Sequence, residues 1–320
     1  MCSKIFISIS DELRSSLDKY VSKLPLPVRI VRLGQRQGLI RARIAGANQA
    51  TGQVLIFLDS HIEVANGWLE PMLSEIASDR TRVILPVVDN VNYKTMGYED
   101  WDVNIRTRGG LDWNFLWTFI EPDVRFETSS GYDEIDPFPS PTMVGCAFAI
   151  DREFFYKSGS YDKNMMIWGG ENIEMAIRVW VCGGSMLTLP CSHIGHIFRM
   201  YSPYTSMFDR EDHATKNTNR LVEVWMDQYK PFYYYLKKGK WKEALIICLL
   251  YCHFNNSRVY FNLIVENFCI DFKELRQWEQ LIWVRENNYV IICSVLIFNG
   301  FSTMSIQTHH FPASIDTLER

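Results

Sequence analysis

Apolar residues in the amino-terminal third of the chain alternate between helical spacing and strand-like runs. Leu13, Leu17 and Tyr20 recur every three or four residues, as on one face of a helix. The same spacing returns at 40–47 and 69–76. Strand-like segments lie between and after these stretches, at 28–33, 54–58 and 82–88. The alternation predicts an α/β fold with a mostly parallel sheet flanked by helices.

Residues 89–142 break this alternation. They are rich in Gly, Pro, Asp and aromatic residues, which is typical of long surface loops that build a binding site over a rigid sheet. Three further elements are predicted after them, a strand at 147–150, a helix around 173–180 and a strand at 186–189. The apolar stretches after residue 236 contain no motif. We therefore predict one α/β domain over residues 1–235 and an unassigned tail over 236–320.

Composition narrows the class of protein. The 320 residues are 47% hydrophobic, and 33 Lys+Arg against 37 Asp+Glu give a net charge of −4. This composition excludes a disordered chain and argues against a nucleic-acid partner. No apolar run reaches the ~18 residues that a membrane span needs, and Asp11 and Glu12 come too early for a secretory signal. The eight cysteines contain no CxxC, so a compact zinc ribbon is not favoured.

The first candidate site follows the most apolar strand. Asp59 and His61 stand directly after the run VLIFL. In extended backbone, positions two apart point to the same side, and ligands bind beyond the carboxyl ends of strands in open α/β sheets. Mixed oxygen and nitrogen ligands suit Mn²⁺ or a similar ion. An isolated Asp-x-His is more often a strand exit in which the acid caps a turn, so the pair needs support from elsewhere.

A basic stretch lies just before this pair. No acid occurs between Asp18 and Asp59, and the interval contains five arginines, Arg29, Arg32, Arg36, Arg41 and Arg43. We interpret most of them as a solvated helix face. Arg36 is the exception, because it lies in the loop before a helix start at Gly38, where phosphate groups bind.

The segment 168–172 reads Trp-Gly-Gly-Glu-Asn. Its two glycines allow the backbone to approach a ligand closely, and the face of Trp168 suits stacking on a sugar or a base. Glu171 and Asn172 stand at a helix start, where they can accept hydrogen bonds from hydroxyl groups. An N-capping turn with a core tryptophan explains the same composition about as well.

The fourth candidate is a pair of histidines followed by Arg199 and Tyr204. If His193 and His196 lie one helical turn apart, they can share a metal ion. His196 is also the natural third ligand for an ion at Asp59 and His61. A structural zinc site competes with this interpretation, and it would be formed by Cys182, Cys191, His193 and His196.

Several stretches, in this order, resemble the polypeptide N-acetylgalactosaminyltransferases. They are RQGLIRARIAGA, VLIFLDSHIEVANGWLEPML, DRTRVILPVVD, RGGLDWN, WGGENIEMAIRVWVCGGSMLTLPCSHIGHIFR and NTNRLVEVWMDQYK. The resemblance implies a GT-A-type nucleotide-sugar transferase fold and Mn²⁺ as cofactor. It implies transfer of GalNAc from UDP-GalNAc to Ser or Thr of proteins, with retention at the anomeric carbon. It also implies location in the Golgi lumen.

The resemblance assigns roles to the candidate residues. It implies three manganese ligands, Asp59, His61 and His196. It implies contacts with the nucleotide, the diphosphate or the donor sugar by Arg36, Ser60, Trp168, Arg199 and Tyr204. It places Glu171 and Asn172 as catalytic residues at the sugar. It also implies a front-face path, in which the leaving phosphate takes the acceptor proton and no carboxylate nucleophile is needed.

Some positions depart from the family pattern. The family carries an earlier strand-helix-strand unit that ends in an Asp-Asp pair, so we expect a sheet that is incomplete at its amino-terminal edge and a slow enzyme. Residues 5–9 have strand character and are expected to pair at that edge. No lectin domain follows residue 235, and Ser202 replaces a family histidine. The resemblance implies a disulfide from Cys191 to a cysteine outside this chain and leaves the partner of Cys182 open, with Cys252 and Cys269 as guesses.

Two alternatives to an active transferase remain open at this point. One is a catalytically inactive homologue that binds peptide or nucleotide. The other is the structural zinc protein described above.

Overall fold

The computed structural model describes residues 4–8, 14–99, 108–112, 115–120, 133, 135–198, 212–239, 282–286, 289–298 and 301–309. The chain divides into two units, residues 1–269 and residues 270–320. The predicted boundary between 235 and 236 stays a prediction. No helix in the described ranges is both long enough and apolar enough to cross a bilayer.

The first unit is an α/β structure. Its helices are α1 Arg14–Val21, α2 Leu39–Gln49, α3 Leu69–Ser78, α4 Arg152–Lys157, α5 Glu171–Val181, α6 His213–Trp225 and α7 Lys230–Lys237, with a 3₁₀ turn Asp227–Tyr229 before α7. Its strands are β1 Lys4–Ser8, β2 Val28–Arg32, β3 Val54–Leu58, β4 Ile62–Val64, β5 Arg82–Val91, β6 Tyr98–Glu99, β7 Arg108–Leu111, β8 Trp117–Ile120, β9 Phe138–Pro139, β10 Ala147–Asp151 and β11 Ser185–His196.

The central sheet has the strand order β3-β10-β5-β11-β4, with β6 beside β5 and β9 beside β11. The predicted α/β class, with a sheet flanked by helices, is confirmed. The sheet is mixed rather than mostly parallel, because β10 runs antiparallel to both of its neighbours and only β5 and β11 pair in parallel. Periodicity identifies strands and helices, but it does not say which strands become neighbours.

Helices cover both faces of this sheet, and β10 shows why. Successive side chains of a strand point to opposite faces. Phe148 stacks on Phe57 with ring centroids 4.8 Å apart, within the cluster that also contains α2 and α5. Ala149 projects to the other side and packs with Met72 and Ile76 of α3. The residues of β10 are buried along its whole length, so this strand anchors the fold beneath the site.

The start of the chain forms a separate two-stranded sheet. Strand β1 pairs in parallel with β2, from Lys4 opposite Val28 to Ser8 opposite Arg32. The strand predicted at residues 5–9 is therefore present one residue earlier, at Lys4–Ser8. It pairs with β2 and not, as expected, at the edge of the main sheet.

The last strand of the central sheet is much longer than predicted. The expected strand at 186–189 continues to His196, with a shift in register against β5 between Leu189 and His193. Pro190 lies at this shift, and it has no N–H to donate to the ladder. The proline and the irregularity around it hid the continuation of the strand, which carries His193 and His196 into the sheet.

The second unit contains three antiparallel strands, β12 Ile282–Glu286, β13 Tyr289–Phe298 and β14 Phe301–His309. They are ordered β12-β13-β14. Phe298 and Phe301 form the last pair of the β13–β14 hairpin. The sequence assigned no elements to this region.

Candidate functional site

The site forms where β3, β4 and β11 meet. Asp59 and His61 occupy the turn between β3 and β4, and β11 brings His196 beside Ile62 in the antiparallel pairing. Two backbone bonds fix the turn: the N–H of Asp59 donates to Cys146 O at 2.9 Å, and the N–H of Ile197 donates to His61 O at 3.2 Å. Strand pairing therefore brings His196 of β11 next to Asp59 and His61, which lie much earlier in the sequence.

The three side chains converge on one point. The ligand atoms of Asp59, His61 and His196 all lie within 4.8 Å of one another. His196 Nε2 is 3.9 Å from Asp59 Oδ2, and the two imidazole rings are 4.5 Å apart between centroids. This spacing suits a divalent ion, because ligands that sit about 2.0–2.3 Å from a metal lie within a few ångströms of each other.

The chemistry of the donor atoms agrees with this spacing. His196 is buried, and its Nε2 lies on the side of Asp59 Oδ2. One carboxylate and two imidazoles form a mixed donor set that suits Mn²⁺ or a similar ion. The residues that are present therefore fit a bound divalent metal.

Arg43 joins the turn 59–61 to the core, a role that the sequence interpretation missed. We call this turn the metal-binding turn, since it carries the candidate ligands Asp59 and His61. Its Nη2 donates to Asp59 Oδ1 and to Gly145 O, both at 2.7 Å, and its Nη1 donates to the hydroxyl of Tyr161 at 3.1 Å. The assignment of this arginine to a solvated helix face was wrong. The signal was present in the sequence, because Arg43 shares the apolar face of α2 with Ile40 and Ala47, at helical spacing.

Arg43 also affects the ionisation of Asp59. Burial by itself raises the pKa of this carboxyl group, because desolvation disfavours the charged form. The neighbouring His196 imidazole and the positive charge of Arg43 act in the opposite direction, and together they hold the pKa of Asp59 below its ordinary value. Asp59 is therefore ionised at neutral pH, as a metal ligand must be.

The Gly-Gly turn lies next to helix α5. Gly169 has a φ of +103° and Gly170 has a φ of +78°, a region that glycine enters without steric cost. A Cβ on Gly169 would lie 2.8 Å from the Cβ of Ala214 in α6. The turn leaves Trp168 42% exposed, so the interpretation as a core tryptophan is wrong.

Glu171 and Asn172 begin α5 and point into the protein. Glu171 is 4% exposed, and its Oε2 accepts a hydrogen bond from Gly169 N at 2.7 Å. Burial raises the pKa of Glu171, although the charge of Arg43 opposes the rise. Asn172 donates from Nδ2 to Met143 O at 2.9 Å. Both residues therefore hold loops in place beside the metal-binding turn.

The loop that carries Arg36 is joined to the Gly-Gly turn. The N–H of Leu39 donates to Ile167 O at 2.7 Å, and a Cβ on Gly38 would lie 2.4 Å from Ile167 Cα. Gly38 has a φ of +81°, so this close approach requires glycine. Arg36 and Ser60 are exposed. Arg199 and Tyr204 lie outside the described residues.

His193 does not belong to the metal-binding group. It is in a strand rather than a helix, so His193 and His196, three residues apart, project to opposite faces. Its Nδ1 lies 3.0 Å from Asp89 Oδ2 and its Nε2 lies 2.8 Å from Pro190 O. The predicted sharing of a metal by the two histidines is therefore wrong.

The structural zinc site is not formed either. Asp59, His61 and His196 are the one group of three or more potential ligands within the described ranges. Cys182 and Cys191 are free and exposed. The two cysteines suggested as disulfide partners of Cys182, Cys252 and Cys269, lie outside the described residues. The zinc interpretation is therefore not supported.

Asn217 of α6 is a second residue that the sequence interpretation missed. It is 2% exposed, and its amide bonds to the backbone of the loop that carries Trp168. Its position on the buried face of α6, four residues before Leu221, was the available signal. An amide on an otherwise apolar helix face needs buried partners.

Two family models match the chain. One, described as glycosyl transferase family 2, matches residues 8–157, and the other, described as the N-terminal domain of galactosyltransferase, matches residues 131–203. The chain is 47% identical over 229 residues to polypeptide N-acetylgalactosaminyltransferase 5 of Rattus norvegicus, covering 71% of this chain and 24% of that protein. It is 44% identical over 231 residues to polypeptide N-acetylgalactosaminyltransferase 13 of Homo sapiens, covering 72% of this chain and 41% of that protein.

A solved structure agrees with these matches. It is described as GalNAc-T7 with UDP, GalNAc and Mn²⁺, and it superimposes with a TM-score of 0.69 at 32% identity, covering 90% of this chain and 56% of that chain. The fold, with its metal-binding turn at a strand end, is that of a GT-A-type glycosyltransferase. The chain belongs to the polypeptide N-acetylgalactosaminyltransferase family. It spans less than half the length of the two curated relatives named above.

Proposed function

We propose that this chain transfers N-acetylgalactosamine from UDP-GalNAc to Ser or Thr hydroxyls of proteins, with retention and with Mn²⁺ as cofactor. The observation that carries the proposal is the convergence of Asp59, His61 and His196 within 4.8 Å, in a chain of this family. The GalNAc-T7 structure, at 32% identity, contains UDP, GalNAc and Mn²⁺, which supports the same donor and metal here.

The metal would be held by one carboxylate oxygen of Asp59 and one ring nitrogen each of His61 and His196. When bound, the ion supplies Lewis-acid stabilisation of the charge on the leaving diphosphate, worth on the order of several kcal/mol. The Arg43 guanidinium holds Asp59 Oδ1 at 2.7 Å, which leaves Oδ2 on the side of His196. The chain therefore presents a fixed, ionised ligand.

The donor would lie along the two loops that meet at Ile167. We propose that Arg36 and Ser60 contact the nucleotide and diphosphate, and that Arg199 and Tyr204 also contact the donor. Both Arg36 and Ser60 are exposed, so their side chains are accessible to a ligand. An arginine is well suited to this role, because its planar group matches phosphate oxygens in two directions.

The sugar would lie against Trp168. We assign Glu171 and Asn172 to the catalytic side of the sugar, where the buried carboxyl group of Glu171 and the half-buried amide of Asn172 keep the Gly-Gly turn and the 143–145 loop in position. No carboxylate nucleophile is assigned. The acceptor proton passes to the leaving phosphate, so retention needs orientation and charge stabilisation rather than a covalent intermediate.

We also propose that the protein is located in the Golgi lumen, as its resemblance to this family implies.

The direct test is transfer to a peptide. The purified full chain is incubated with UDP-GalNAc, Mn²⁺ and a Thr-rich peptide, and the peptide is analysed by mass spectrometry. We expect a mass increase of one N-acetylhexosamine that disappears when EDTA removes the metal. UDP-glucose in place of UDP-GalNAc is the matched control. The low activity expected from the sequence stays a prediction. Sampling the same incubation at several times measures the rate of transfer.

Two results would contradict the proposal when this assay is combined with a titration of UDP in the presence of Mn²⁺. Absence of both nucleotide binding and transfer would overturn it outright. Manganese-dependent binding of UDP without transfer would favour the inactive homologue instead.

Replacing Trp168 should affect binding of the sugar half of the donor more than binding of its nucleotide half. We expect Trp168→Ala to weaken UDP-GalNAc binding by roughly tenfold, because loss of one stacked aromatic ring costs about 1–2 kcal/mol. Binding of UDP should change little, since the exposed ring is proposed to face the sugar. Isothermal titration calorimetry with both ligands measures the difference. Trp180, 38% exposed at the other end of α5, provides the control as Trp180→Ala. Equal weakening of both ligands would place Trp168 at the nucleotide instead.

A further inference from the structure

The loop 166–170 has a backbone that does not hold its shape by itself. Ile167, Gly169 and Gly170 all have positive φ, at 52°, 103° and 78°. Positive φ is unfavourable for a β-branched residue such as Ile167. A backbone of this kind persists only where the surrounding structure fixes it. The source of that support decides what controls the position of Trp168.

One side of the loop is supported by the segment before α2. Leu39 N donates to Ile167 O at 2.7 Å, and Gly38 pairs with Ile167 in an isolated bridge. This contact fixes the middle of the loop, but it involves neither Trp168 nor the Gly-Gly pair.

On the other side, the Asn217 side chain makes several hydrogen bonds to the backbone of the loop. Its Oδ1 accepts from Met166 N at 2.8 Å, and its Nδ2 donates to Met166 O and to Gly169 O, both at 2.8 Å. A longer contact of 3.4 Å runs from Nδ2 to Trp168 O. The amide therefore spans the loop from Met166 to Gly169, on both sides of Trp168.

Burial makes this contact specific. Asn217 is 2% exposed, so water does not replace bonds that a mutation removes. Only a group with one acceptor and two donors at this position satisfies the three backbone groups, and the asparagine amide is such a group. The next residue, Thr218, bonds to Ala214 O within its own helix, so the loop contact belongs to Asn217.

We propose that Asn217 is a positioning residue that fixes the loop 166–170, and through it Trp168 and Glu171, for the sugar part of the donor. The inference rests on the proposed function, since it takes the sugar to lie at Trp168. Asn217 itself does not touch the ligand. It acts through the backbone on either side of the tryptophan and through Gly169 N, which donates to Glu171.

The test is a comparison of two ligands on the full chain. Asn217→Ala is titrated with UDP and with UDP-GalNAc in the presence of Mn²⁺. We expect the Kd of UDP-GalNAc to rise about tenfold, the equivalent of one or two lost hydrogen bonds, while the Kd of UDP changes less than twofold. The hydrogen bonds of Asn217 described above all go to the loop 166–170 and not to the turn 59–61, so Mn²⁺ binding should also be unchanged.

The matched control lies two residues further along the same helix. Asn219 accepts a hydrogen bond from the Tyr233 hydroxyl at 2.8 Å, so its tertiary contact is with α7 and not with the loop 166–170. Asn219→Ala therefore reports the cost of losing a helix amide and its tertiary bond. We expect it to leave the Kd of both ligands unchanged. If Asn217→Ala does not fold, Asn217→Ser, which keeps a polar group on a shorter stem, takes its place with the same expected difference.

The possible results separate the inference from the function on which it rests. Wild-type chain that binds both ligands, with a variant that loses neither or loses both equally, overturns the role of Asn217 and leaves the proposed function standing. Wild-type chain that binds neither ligand overturns the proposed function, and the role of Asn217 falls with it. Selective loss of the sugar donor supports both.

Discussion

Asp59→Asn is expected to abolish the effect of Mn²⁺ on UDP binding. The change removes the one carboxylate of the candidate metal group but keeps an oxygen that can still accept from Arg43, which lies 2.7 Å from Oδ1. We expect Mn²⁺ affinity to fall about 100-fold, equivalent to about 2.7 kcal/mol, because the dication loses its only anionic protein ligand among Asp59, His61 and His196. Electron paramagnetic resonance of free Mn²⁺ measures this affinity directly and independently of turnover.

Glu63→Ala is the matched control for this prediction. Glu63 is an exposed acid on β4, four residues beyond Asp59, and its backbone oxygen accepts a hydrogen bond from the hydroxyl of Tyr98 at 2.9 Å. Its removal should leave Mn²⁺ binding unchanged. A manganese response that survives in Asp59→Asn, or that is lost in Glu63→Ala, would place the ion elsewhere.

Arg43→Met is expected to destabilise the first unit severely. The substitution keeps much of the volume but leaves Asp59 Oδ1, Gly145 O and the Tyr161 hydroxyl without their donor. Removing one partner of a buried pair strands the other, at a cost of about 3–5 kcal/mol when burial is complete. Asp59 is 22% exposed at the side chain, so we expect about 2–4 kcal/mol. Urea unfolding followed by circular dichroism gives the change in the free energy of unfolding.

The same helix supplies the comparison for Arg43. Arg41 is exposed in part and donates from Nε to Lys163 O at 3.3 Å. Arg41→Met should change the free energy of unfolding by less than about 0.5 kcal/mol, as for most surface substitutions. Similar losses in the two variants would mean that the loss reflects helix propensity or total charge, and not the contacts at Asp59.

Asp59→Asn and Arg43→Met test the same connection between the candidate metal site and the core. Arg43 lies 6.0 Å from the ring centroid of Phe148, and Phe148 stacks on Phe57 at the centre of the first cluster. A candidate metal ligand is thus held by a residue that itself belongs to the core. Asp59→Asn should therefore lose Mn²⁺ affinity without a matching loss in the free energy of unfolding, whereas Arg43→Met should lose both.

Much of the fold was predictable because its elements are fixed locally. The run at 54–58 is the strand Val54–Leu58, since continuous aliphatic residues suit a strand buried in a sheet. The helices at 40–47 and 69–76 were found through their apolar faces, and the structure extends them by one or two residues at each affected end. Strand direction was not predictable from these patterns. The antiparallel course of β10 depends on how the chain returns after residues 89–142, and periodicity contains no such information.

The candidate metal ligands could be named from the amino-acid sequence. Asp59 and His61 follow the apolar run at 54–58, and His196 follows the strand predicted at 186–189, so these donors were selected without any coordinates. The tertiary structure decided which groups support them. Arg43 and Asn217 looked like ordinary helix-face residues, and only the packing of α2 and α6 shows that both are buried against loops of the site. The physical reason is that a donor atom is a property of one residue, whereas a buried hydrogen bond depends on two segments that meet only when the chain folds.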